Sequence, residues 1–246
     1  MGEVVEESRH LMVAPACLRS HVLALIDGEI AQALTGNTAY LGFKLNGLTD
    51  KLLIDKLIEA SQAGVRIDLV VRGVCCLIGG VPGLTENIHV SSIVGRYLEH
   101  ARIYIFGTEE RRKVYISSAD FMTRNTTRRV EVAVPIYDAT LRAHLEQIFA
   151  DQLRDTAKGR VQLPSGEYVR REGEVFNSQE HFCDQAYSGA WELPGVRRKE
   201  LPKATVRAVP KSAPKPAEKP TAPATDRRPP ITAAKRSSLL DRLLGR

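Results

Sequence analysis

Two hydrophobic spacings take turns along this chain. Over residues 17–34 apolar positions recur at helical intervals, with Asp27 and Glu29 on the wet side. Residues 39–45 predict a strand, and 50–63 (DKLLIDKLIEASQA) a second amphipathic helix, stopped by Gly64, a residue suited to a left-handed cap. Residues 65–72 (VRIDLVVR) are the strongest strand in the chain. Helix then strand, twice, argues for an α/β fold with a largely buried sheet. Further strands are predicted at 88–94, 97–106, 113–118 and 129–137, followed by a long helix over 139–154. Residues 161–171 read as a hairpin around Pro164-Ser165-Gly166, residues 79–87 as a turn-rich loop and 172–196 as irregular.

Composition changes late in the chain. Residues 197–246 hold 14 Lys/Arg against 4 Asp/Glu, a net of +10; with +6 for the whole chain, residues 1–196 carry −4. The basic character therefore belongs to the tail, and a basic nucleic-acid-binding body is excluded. A Pro/Ala/Lys-rich stretch over 188–236 predicts a disordered linker that attracts polyanions without specificity. Residues 237–246 (SSLLDRLLGR) predict a short docking helix. Cys17, Cys75, Cys76 and Cys183 match neither a zinc site nor a disulfide framework, so reduced thiols are expected. With no signal peptide and no 18-residue apolar run, a cytoplasmic protein without membrane insertion is the expectation.

Candidate chemistry gathers at predicted strand ends. Arg72 closes the best strand, where open α/β sheets place their ligand crevices, and a guanidinium matches a phosphate in bidentate fashion. Lys44 and Asn46 share a face at the end of the first strand, and Ser118 and Asp120 share one at the end of 113–118; Lys44 and Asn46, with Arg72, His100 and Arg102, are the expected phosphate-binding groups. His100 and Arg102 are placed on one face of the 97–106 strand, with Glu99 as an orienting neighbour for the imidazole. An imidazole titrates near neutrality, so it can attack phosphorus or protonate a departing oxygen. Residues 81–86 (VPGLTE) are not a Walker loop, and no cluster of metal ligands is visible, so any magnesium ion is expected to arrive with nucleotide phosphates.

The segments AGVRIDLVVRGVCCL, GVPGLTENIHVSSIVGRYLEHARIYIF and VYISSADFMTRNTTRRVEVAVPI closely resemble bacterial polyphosphate kinase of the long type related to phospholipase D. The likeness runs from LMVAPACLR at residue 11 to FNSQEHF at 176–182 and matches the second of that family's two phospholipase-D-like catalytic domains. It implies a phospholipase-D-like mixed β-sheet flanked by helices over residues 10–187. It also implies reversible transfer of the terminal phosphate of ATP onto polyphosphate through a phosphohistidine. By this resemblance Arg72 binds ATP, and His100 is the second histidine, which assists proton transfer or stabilises phosphate. Lys44 and Asn46 match the family's K-x-N-x-L strand end. Gly47 stands where serine is usual, and Phe121 and Thr123 replace an aromatic–proline pair. The resemblance places the autophosphorylated histidine in the preceding domain, so a second chain or a homo-oligomer is expected to complete the enzyme. Two alternatives stand beside it: a non-catalytic module for polyphosphate or nucleotide, and a dimeric phosphohydrolase that pairs two copies of His100.

Overall fold

A computed structural model describes residues 10–189. The strongest hydrophobic runs became the centre of the sheet. Strands β2 (Tyr40–Leu45), β3 (Arg66–Val71) and β4 (Ile88–Ile93), preceded by the short β1 (Met12–Ala14), form its parallel middle, with β2 beside β3 and β3 beside β4. Ile67, Leu69, Val70 and Val71 of β3 are all buried, as a strand covered on both faces requires. Strands β5 (Arg102–Phe106), β6 (Lys113–Ser117) and β7 (Glu131–Pro135) add antiparallel neighbours on one side. The hairpin of β8 (Gly159–Gln162) and β9 (Tyr168–Arg170) extends the other side. Among the described residues the order is β1-β7-β6-β5-β2-β3-β4-β8-β9 in a single mixed sheet.

Helices cover both faces. On one lie α1 (Leu18–Leu34) and α2 (Lys51–Gln62), over a core that includes Leu41, Phe43, Ile67, Leu69, Tyr104 and Phe121. Asp50 begins α2 by accepting hydrogen bonds from the amides of Leu52 and Leu53, and Gly64 follows it in the left-handed region at φ 93°. Phe121 sits 4.9 Å from Phe43 and 5.0 Å from Tyr104, ring centre to ring centre, so it fills the core beneath the sheet. The opposite face takes α4 (Ala139–Leu153), whose Phe149 joins Val70, Ile93, Ile103 and Ile105. The small α3 (Thr123–Thr127) and the terminal α5 (Ser178–Ser188) complete the fold.

The helices over 17–34, 50–63 and 139–154 and most strands stand within a few residues of their expected bounds. Two expectations do not hold. The strand predicted over 97–106 starts only at Arg102, so His100 precedes the strand instead of lying on it. Residues 172–196 are not wholly irregular, since Asn177 caps α5 through the amide of Glu180. Residues 190–236 of the predicted linker and the docking helix at 237–246 lie outside the described residues.

Candidate functional site

Antiparallel pairing sets the site. Because β5 runs against β2, its first residues meet the last residues of β2 and β3 at one edge of the sheet, and the end of β6 meets them there. Asn46 is the hinge of this rim. The amide of Arg72 donates to the carbonyl of Leu45 at 3.1 Å, and that of Gly73 to the carbonyl of Asn46 at 3.0 Å. From its other side, Asn46 Nδ2 donates to the carbonyl of His100 at 3.3 Å. A Cβ on Gly73 would sit 2.7 Å from the Asn46 oxygen, so this close approach needs glycine. The topology thus brings Arg72, Asn46 and His100 to adjoining positions, as the strand-end pattern predicts.

The cations of the rim divide into engaged and free. Lys44 is 1% exposed. Its Nζ donates to the carbonyls of Glu99 at 3.3 Å and Ala101 at 3.2 Å, and pairs with Glu99 Oε2 at 3.3 Å. An ammonium has three N–H groups, and all three are occupied. Burial lowers the Lys44 pKa below its ordinary 10.5 and the nearby Arg72 and Arg102 push the same way, while Glu99 opposes them. Lys44 therefore braces the segment before β5, and no N–H is left for a phosphate.

Glu99 does not orient the imidazole. Its Oε2 accepts from Gln152 Nε2 of α4 at 2.6 Å, and its Oε1 from Gln179 Nε2 of α5 at 2.8 Å. Gln179 also grips the backbone of Tyr97, accepting from its amide at 3.1 Å and donating to its carbonyl at 2.9 Å. These bonds explain why residues 97–101 leave the sheet: their polar groups are satisfied by side chains instead of a ladder. Sequence reasoning found neither glutamine. The capping pair Asn177 and Glu180 was the available signal for α5.

Arg102 forms a two-pronged pair with Asp120, Nε to Oδ1 at 3.2 Å and Nη2 to Oδ2 at 2.7 Å. Its remaining Nη1 donates to the carbonyl of His100 at 2.9 Å and lies 3.4 Å from His100 Nδ1. Asp120 also accepts from the amides of Asn46 at 2.6 Å and Gly47 at 3.3 Å. Burial pushes the Asp120 carboxyl up, but these donors outweigh it and hold the group below its ordinary 3.8. Ser118 faces away from the rim, donating its hydroxyl to Glu131.

The exposed side of the rim carries two groups. His100 is solvent-exposed, and Arg102 has no lone pair to offer its Nδ1, so Nδ1 accepts and a neutral ring carries its proton on Nε2. Arg72 is half-buried and anchored by its backbone; its guanidinium has no ion pair or hydrogen-bond partner among the described residues. Asn46 spends Nδ2 on His100, and its buried Oδ1 is an acceptor, which repels anionic oxygen. Behind Tyr97 a cavity of about 470 Å³ is lined by Arg96 and Lys158, but also by Glu180 and Asp184, so it has no net pull on an anion. No group of three or more His, Cys, Asp or Glu side chains among the described residues gathers to hold a metal, and no described helix is long and apolar enough to cross a membrane.

Comparison with known proteins bears on the family and the fold. Residues 11–181 match the family model "Polyphosphate kinase C-terminal domain 2". The polyphosphate kinase of Bacillus anthracis is 46% identical over 181 residues, covering 72% of this chain and 26% of the relative. That of Staphylococcus epidermidis is 44% identical over 189 residues, covering 76% and 26%. The crystal structure of polyphosphate kinase from Porphyromonas gingivalis superposes with a TM-score of 0.70 at 37% identity, over 75% of this chain and 29% of that one. The chain thus spans about a quarter of the length of the curated relatives it matches. Over that span, in sequence and in fold, it belongs to the polyphosphate kinase family through the second C-terminal domain.

Proposed function

We propose that the chain works as the nucleotide-side half of an ATP–polyphosphate phosphotransferase, with Arg72 and His100 meeting the phosphates of ATP. One observation carries the reading: a guanidinium with no hydrogen bond or ion pair among the described residues stands at the same rim as an exposed imidazole, while Lys44 and Arg102 are engaged. Arg72 would hold non-bridging oxygens through charge-assisted hydrogen bonds, worth about 1.5–3 kcal/mol each. His100 would offer its Nε2 proton to the same group. As the terminal P–O bond of ATP breaks and a histidine nitrogen takes up the phosphoryl group, negative charge grows on the departing ADP oxygen. Arg72 and His100 balance that charge, the imidazole by donating a hydrogen bond from Nε2 to the oxygen.

Lys44, Asn46 and Arg102 act through position. Lys44 and Arg102 fix the carbonyls on either side of His100 and the His100 carbonyl itself, and Asn46 ties that carbonyl to the end of β2. Glu99 and Asp120 are consumed in ion pairs, so the described residues offer magnesium no free carboxylate at the rim; the ion is read as arriving with ATP. On this reading the phosphorylated histidine belongs to a domain outside the matched segment. Residues 1–246 by themselves are therefore expected to show negligible exchange between ATP and polyphosphate, with the nucleophile coming from outside this segment.

Titration of the full chain with magnesium-ATP, followed by the ring resonances of His100, tests the reading. A saturable shift at His100 that disappears in Arg72→Ala is expected. Robust phosphotransfer retained by His100→Ala, in whatever assembly is active, would remove His100 from the chemistry.

A further inference from the structure

Beside Leu153, the last residue of α4, the sheet face on that helix's side opens into a pocket of about 390 Å³. Asp68 of β3 and His89 of β4 are partners in the parallel ladder, and strand alternation puts Arg66 and Ser91 on the same face as they are. Asp68 is buried. Its Oδ2 takes Nε and Nη2 of Arg66 at 3.3 and 3.2 Å, and its Oδ1 lies 3.5 Å from His89 Nδ1. One cation compensates one carboxylate, and Arg66 supplies it.

Arg171 is a charge that folding does not ask for. It follows β9, and its amide donates to the carbonyl of Gly159 on β8 at 3.2 Å. Its side chain then reaches back across β8, at the level of a residue without a side chain, and Nη2 donates to the Ser91 hydroxyl of β4 at 3.0 Å. An arginine kept only to guard the sheet edge would point outward; this one is half-buried and lines the pocket. It forms no ion pair among the described residues. Ser91 is buried and accepts from Arg171, and its own O–H has no acceptor among the described residues. Two guanidiniums thus meet one carboxylate, with a free hydroxyl between them.

Size and walls choose the ligand. Inorganic phosphate alone would leave most of the space empty, because the volume falls in the range of sites for small organic molecules. Leu153 and Val161, both half-buried, supply an apolar wall. We propose that this pocket binds a small phosphomonoester, its phosphate held by Arg171, the Ser91 hydroxyl and the outer edge of Arg66, its organic body against Leu153 and Val161. The site is separate from the rim. Arg66 opens β3 and Arg72 follows its end, about 20 Å away along the strand, so the inference does not rest on the phosphotransfer reading.

Phenyl phosphate and inorganic phosphate, each titrated into the full chain, test this, with the ring resonances of His89 and His100 reporting the two places separately. Wild type, Arg171→Gln, Arg171→Lys and Arg72→Ala are compared, each with an unfolding curve. Phenyl phosphate is expected to shift His89 saturably, to bind more tightly than inorganic phosphate, and to bind at least about tenfold more weakly in Arg171→Gln. Arg171→Lys keeps the charge and is expected to recover part of the affinity, which separates lost charge from a disturbed sheet edge. Arg72→Ala is expected to leave the His89 titration unchanged. No shift at His89, or one that keeps wild-type affinity in Arg171→Gln, overturns the site. A His89 shift lost in Arg72→Ala places the anion at the rim and overturns the pocket. Equal affinity for the two phosphates overturns the organic body as part of the ligand.

Discussion

The end of β2 and the end of β3 are neighbouring ladders that both terminate in a cation, yet they have been put to opposite uses. At the end of β2, Lys44 is enclosed and gives every N–H to the segment that holds His100. One strand over, Arg72 bonds through its backbone, and its guanidinium has no hydrogen bond or ion pair among the described residues. The same pairing of strand end and positive charge is structural in one case and, on the proposed reading, left for a ligand in the other. What separates them is whether the protein supplies the counter-charge. Glu99 does so for Lys44, as Asp120 does for Arg102. No described residue does so for Arg72.

Breaking the closed side should produce the largest change. Lys44→Ala removes one partner of a buried pair and leaves Glu99 with an uncompensated charge, a class of change that costs about 3–5 kcal/mol. Denaturant unfolding of the full chain measures this, and a loss below about 1 kcal/mol would mean that Lys44 is not the brace described. A smaller effect is expected at Asp120→Asn, roughly 1–3 kcal/mol near neutral pH, because the charge-assisted bonds from Arg102 and two amides weaken. Its pH dependence sharpens the point. Asp120 is held below 3.8 in the folded chain, so its carboxylate stabilises the fold fully above that value. The contribution fades as pH falls through the folded value, and the gap between wild type and variant should close below about pH 3.8. A gap that stays constant down the acid limb would show that the charge of Asp120 is not what Arg102 and the amides read. Arg72→Ala should be the mildest change to the fold, within about 0.5 kcal/mol, since no side-chain hydrogen bond or ion pair among the described residues is lost.

Much of this was legible in the chain itself. Unbroken burial potential in VRIDLVVR marked a buried strand of the sheet, and its terminal arginine stands at the sheet edge that His100 also reaches. The family likeness rested on the same segments and was borne out over residues 11–181. What stayed hidden depended on distant partners. Alternation extended the fifth strand back to Tyr97, but Lys44 at one end of the sequence and Gln179 at the other pull residues 97–101 out of the ladder. No local pattern reports a lysine more than fifty positions upstream. For the same reason Lys44 and Arg102 read as phosphate ligands, because a cation at a strand end looks alike whether or not a buried carboxylate awaits it. The segments β1 and α3 escaped notice through brevity, having three and five residues.

The affinity of the full chain for magnesium-ATP, wild type against Arg72→Ala with matched unfolding curves, addresses the central claim most directly. A free guanidinium at the nucleotide predicts binding at least about tenfold weaker in the variant, with stability unchanged. Equal affinity for the two proteins would contradict it and leave Arg72 an ordinary residue at the end of a strand.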